Sequence, residues 1–167
     1  MIRCLVPIVL GLVSISQATP KQITGRLVVG PEVWVVSGSV SGSRTGIDLL
    51  ALSLSNSSGS RRLVVRRSGS EYWSEIDGAE SVLDSAIVRG WASDLYSAPG
   101  TALGILDCSE QPPMVCESRG VTSVGPGLHG RVRLTYNRGM LARLTFFGLE
   151  EWGNPFDAYI SLDLEIR

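Results

Sequence analysis

The sequence predicts a mainly β protein: a β-sandwich or barrel-like antiparallel sheet with one packed α-helix over about residues 78–96. Three observations predict it. From Ala158 to Arg167 the even positions are apolar (Ala158, Ile160, Leu162, Leu164, Ile166) and the odd ones are Tyr, Ser, Asp, Glu and Arg, the period of a strand with one face on a core and one in water. A hairpin pattern precedes it, and several further short apolar runs are punctuated by Gly, Pro, Asn and Ser. One segment departs from period two, with apolar residues at steps of three and four.

At the N-terminus, Arg3 is the only charge before Lys21, an apolar run spans Leu5 to Val13, and Ser16-Gln17-Ala18 follows. A charged start, a short apolar middle and a small-x-small exit are the three parts of a secretory signal peptide, cut after Ala18. The run is too short for a membrane span of ~20 residues. The expected organisation is a removed signal over 1–18 and one β-rich domain over 19–167, secreted or periplasmic. No membrane span is expected in the mature chain.

Ile23 to Val29 and Glu32 to Val36 are β-branched-rich runs split by Gly30-Pro31, a bend or a join between two strands. Ser37 to Ser43 mixes Ser with Gly and Val and reads as a loose strand end or loop. Ile47 to Leu54 sets Leu50, Leu52 and Leu54 on one face. Asn56-Ser57-Ser58-Gly59-Ser60 is a turn, and also has the form of a glycosylation acceptor. Arg61 to Arg67 returns with Leu63, Val64 and Val65 between two Arg pairs, an arrangement that fits protection of an exposed edge strand.

Asp77 and Glu80 have the spacing of a capping box. Val82, Leu83, Ala86, Ile87, Trp91 and Leu95 follow at helical steps, so a helix is expected from Gly78 to Tyr96, stopped by Pro99-Gly100. Trp34 and Trp91 lie in apolar runs and are expected in the core. Thr101 to Cys108 and Met114 to Ser118 read as a strand pair or loop, and Gly120 to Gly130 as a glycine-rich connection. His129 to Tyr136 and Met140 to Phe147 form a hairpin around Asn137-Arg138-Gly139, read as a three-residue loop.

The mature chain keeps two cysteines, Cys108 and Cys116. In an exported protein an even pair is most simply a disulfide. The seven residues between them fit neither a redox Cys-x-x-Cys motif nor a zinc knuckle.

The formal net charge is −1, with no basic stripe to suggest nucleic acid. His129 is the one histidine, and no Gly-x-Ser-x-Gly elbow is present, so a hydrolytic triad is not suggested and no catalytic residue is assigned. No calcium loop or phosphate-binding glycine motif occurs, so neither a metal nor a cofactor is expected. Glu150-Glu151 beside Trp152, with Asp157 close behind, has the make-up of a sugar-binding loop: an aromatic platform with acidic acceptors. Tyr72 and Trp73 in polar surroundings are a second candidate patch. The expectation is an exported, non-catalytic binding domain, adhesin-, envelope- or effector-like, with a protein or carbohydrate partner. Two alternatives stay open: a small polysaccharide-active enzyme using the 150–157 loop, and a small outer-membrane β-barrel.

Overall fold

The computed structural model describes residues 19–97, 106–109, 111–125, 128–150 and 158–167. They form twelve strands and one helix. In chain order these are β1 (Lys21–Val29), β2 (Glu32–Ser43), β3 (Gly46–Asn56), β4 (Gly59–Ser68), β5 (Glu71–Ile76), β6 (Ala79–Leu83), α1 (Ser85–Tyr96), β7 (Leu106–Cys108), β8 (Met114–Ser118), β9 (Thr122–Gly125), β10 (Leu128–Asn137), β11 (Met140–Glu150) and β12 (Ala158–Ile166). All belong to one antiparallel sheet in the order β6-β5-β4-β3-β2-β1-β12-β11-β10-β8-β7, with β9 paired to β10 off that path. The sheet is not closed into a barrel.

The C-terminal strand is the hinge of this topology. β12 pairs with β1 on one side (Ile23 opposite Ile166, Leu27 opposite Leu162) and with β11 on the other (Leu144 opposite Leu164). Its period-two pattern therefore places Ile160, Leu162, Leu164 and Ile166 on the same face as Ile23 and Leu27.

That face is concave. The helix touches β2, β3, β5 and β11. In a flat sheet β5 and β11 would lie six strand spacings, about 29 Å, apart, whereas the twelve-residue helix is only about 18 Å long. The sheet must curl around α1 for one helix to reach both. Glycines permit the bend. A Cβ at Gly25 would run into the Asp163 carbonyl, and one at Gly38 into the Ala51 carbonyl. Leu164 and Leu52 lie over the two positions instead, so backbones approach where a side chain would hold them apart.

The core is where helix and sheet meet. Val88 and Ala92 are fully buried and cluster with Ile23, Val40, Ile47, Tyr72, Leu134, Tyr136, Leu141 and Ile166. Burying each such aliphatic side chain contributes about 1.5–3 kcal/mol.

The helix is shorter at its start than the capping-box spacing suggested. Asp77 and Gly78, with φ of 50° and 89°, form the two-residue turn between β5 and β6, as left-handed residues do in tight hairpins. The Asp77 carboxylate accepts the Arg62 N–H at 2.8 Å and the Arg61 guanidinium at 3.0 Å. The helix is capped by Asp84, whose Oδ1 accepts the Ala86 N–H at 2.7 Å. This start turns Val88 and Ala92 inward and leaves Ile87 and Trp91 on the flank, 52% and 42% exposed. Trp91 is thus not a core residue. Trp34 is only half-buried, and its Nε1 donates to Glu32 at 3.1 Å.

Three further expectations are corrected. Ser37 to Ser43 is not a loose end but the second half of the twelve-residue β2, held by backbone pairing to β1 and β3. The Arg pairs do not guard an edge: β4 lies inside the sheet, and Arg61, Arg66 and Arg67 face Asp77, Glu80 and Asp48. The hairpin at 137–139 is a two-residue turn, Arg138-Gly139, with φ of 52° and 79°. A register shift at Thr135/Tyr136 then buries Leu141 and leaves Met140 42% exposed. One extra residue moves the following side chains to the other face.

Candidate functional site

The concave face has two halves. The half under α1 is packed. Beyond the helix, the inward rows of β1 to β5 and β12 continue toward the opposite end of the sheet as Leu27, Val29, Trp34, Leu52, Leu54, Leu63, Ile160 and Leu162, all half-buried, and Ile76, which is 55% exposed. Their register fixes the shared face: Leu27 stands opposite both Leu162 and Trp34, and Leu63 opposite both Leu52 and Ile76. Polar groups close the far rim. Glu32 holds Trp34, and Arg61 pairs with Asp77 at 3.0 Å. A contiguous apolar surface with a polar rim is the usual form of a binding face. Each residue was visible as part of an alternating strand, but their convergence depends on strand order, which pattern alone does not contain.

Tyr72 and Trp73 are consecutive in β5 and project to opposite faces. Tyr72 is 4% exposed, with its hydroxyl against Gly46, so it belongs to the core. Trp73 is half-buried on the convex face. The two do not form one patch. Glu150 is the last residue of β11, paired with Leu128 and Ala158. Glu151, Trp152 and Asp157 lie outside the described residues, as do residues 1–18. The Asn56 side chain accepts the N–H groups of Ser58 (2.8 Å) and Gly59 (3.0 Å) and so shapes the β3–β4 turn.

Cys108 and Cys116 face each other across β7 and β8, Cα atoms 4.0 Å apart, and are disulfide-bonded. The pairing is compatible with an oxidising, exported location. His129 lies in β10, paired with Leu149 and Ser123. Among the described residues no group of three or more His, Cys, Asp or Glu is placed to hold a metal, and no helix is long and apolar enough to cross a membrane.

Three carboxylates on the scaffold are displaced from their ordinary pKa, and in Asp163 the cause is the hydrogen bond from the Arg143 guanidinium, which lowers it. The backbone N–H of Arg62, then the Arg61 guanidinium, hold Asp77 below the usual range. Burial pushes Asp94, on α1, up to about 6. Its Oδ1 is buried with no hydrogen-bond partner among the described residues.

The chain matches no family model, no curated protein and no solved structure.

Proposed function

We propose that this chain is an exported, non-catalytic binding domain, secreted or periplasmic after removal of residues 1–18, and that it binds through the open half of its concave face. One observation carries this reading: the apolar inward rows continue past α1, leaving Leu27, Trp34, Leu52, Leu54, Leu63 and Leu162 half-buried and Ile76 exposed. A face lined this way favours an apolar ligand, or the apolar segment of a protein partner, over carbohydrate. Sugars need several fixed donors and acceptors beside any aromatic platform, and the inward rows are mostly aliphatic. The signal-like order of residues 1–18 and the Cys108–Cys116 disulfide support export. The open sheet speaks against the outer-membrane alternative, since a membrane-spanning sheet must close to satisfy its edges.

The test is titration of the mature chain with the neutral apolar fluorophore N-phenyl-1-naphthylamine. Saturable binding is expected, weakened at least tenfold in Leu54→Arg, a change that sets an unpaired charge on the apolar face. Binding of equal strength in wild type and Leu54→Arg, with both folded by circular dichroism, would refute the reading.

A further inference from the structure

A second cavity lies away from the open half of the concave face. It is a cleft of about 710 Å³ between the segment joining β7 to β8 and the β10–β11 turn. That volume is within the range of small-molecule sites, about 300–1,000 Å³.

Both walls are fixed by covalent or backbone structure. One wall is the segment joining β7 to β8. The Cys108–Cys116 disulfide closes its base. Ser109 then locks to Val115 twice, its N–H donating to the Val115 carbonyl at 2.8 Å and its Oγ accepting the Val115 N–H at 3.0 Å. The other wall is the β10–β11 turn. The register shift at Thr135/Tyr136 makes Ala142 the residue without a partner in the ladder, and a bulge re-aims the side chains around it. With only a methyl group at that position, the space between the walls stays open.

The lining has one chemical character on each side. Pro112, Pro113 and Met114 supply flat or polarizable apolar surface. Thr135 and Asn137 supply hydrogen-bonding groups. Arg138 is the one charged residue among the lining groups. It sits at the exposed turn, and no carboxylate among the described residues pairs with it, whereas Arg133 and Arg143 on the same two strands are paired to Glu117 and Asp163. The site thus has an apolar body and a cation at its lip.

We propose that this cleft is a small-ligand site, independent of the concave face, for a flat apolar molecule bearing one acidic group. The ring system lies against Pro112, Pro113 and Met114, and the acid meets Arg138.

The experiment is calorimetric titration of the mature, oxidised protein with 1-naphthalenesulfonate and with the neutral 1-naphthalenemethanol. Three proteins are compared: wild type, Arg138→Asn, which removes the charge while suiting the left-handed backbone there, and Ala142→Leu, which fills the cleft. Saturable sulfonate binding is expected in wild type. It should weaken about tenfold or more in Arg138→Asn, the loss of a hydrogen bond to a charged group, with the neutral compound unaffected. Ala142→Leu should weaken both compounds. No saturable sulfonate binding to wild type, equal sulfonate affinity in Arg138→Asn, or unchanged binding in Ala142→Leu would each overturn the proposal. Leu54→Arg probes the other face with a different compound, so the two proposals fail separately.

Discussion

The ring of Phe146 occupies the space that a side chain at Gly130 would need: a Cβ there would stand 2.5 Å from Phe146 Cζ. Gly130 is paired with Gly148 across β10 and β11, and a Cβ on Gly148 would meet the same ring at 2.6 Å. Two adjacent glycines thus leave a notch in the inner surface, and Phe146, 6% exposed, fills it.

Gly130→Ala would push this ring off its seat and press on the Phe147 carbonyl. The expected cost is about 1–3 kcal/mol, the range for overpacking a filled interior, read as a lower urea midpoint with unchanged slope. Gly139→Ala, at a site with open space around it, disturbs only backbone preference (φ of 79°) and should cost about 1 kcal/mol.

Asp94 gives a pH signature. Its carboxyl is raised to about 6 by burial, whereas in an unfolded chain it titrates near 3.9. The folded state therefore holds the proton more tightly. The associated stability is fully present below pH ~4 and is lost as pH rises through about 6. Because the group is only half-buried, the effect after solvent screening is about 1 kcal/mol. Asp94→Asn should raise the melting temperature at pH 7.5 by a few degrees and flatten the melting curve's pH dependence between pH 4 and 7. An unchanged profile would show that solvent relieves the burial.

Cap substitutions distinguish the observed helix cap, Asp84, from the capping box expected at Asp77 and Glu80. Asp84→Ala removes the acceptor for the Ala86 N–H and should cost about 1 kcal/mol. Glu80→Ala removes only a surface ion pair with Arg66, worth about 0–1 kcal/mol. Equal losses on thermal unfolding would contradict the helix boundary.

Reduction of Cys108–Cys116 should lower stability by about 2–3 kcal/mol on the loop-entropy model for so short a loop. The sheet should persist, because β7 and β8 join it at one end only. Far-ultraviolet circular dichroism before and after dithiothreitol, followed by denaturant melts, checks both parts.

What was legible in the sequence was local. The alternation of 158–167, the existence of a hairpin around Asn137-Arg138-Gly139 (though not its two-residue turn) and the cysteine pair each follow from residues within a few positions of one another. The pairing of Ile23 with Ile166 joins opposite ends of the chain, and no local pattern encodes it. The Ser-Gly half of β2 lacks apolar alternation because its ladder rests on backbone hydrogen bonds and small side chains that let the sheet bend. Asp77 and Asp84 both resemble helix caps, and only Gly78 behind Asp77 hints at a turn. The concave face is not encoded locally, for the same reason as the topology: Leu27, Trp34, Leu54, Leu63 and Leu162 come from five strands and become neighbours only through the strand order.

The most direct measurement is a methyl-resolved nuclear magnetic resonance titration of the mature chain with N-phenyl-1-naphthylamine. The account predicts saturable shifts in the methyl groups of Leu27, Leu52, Leu54, Leu63 and Leu162, with Val33, Val35 and Leu49 on the convex face unmoved. Shifts confined to those convex-face methyls, or spread evenly over both faces, would contradict it.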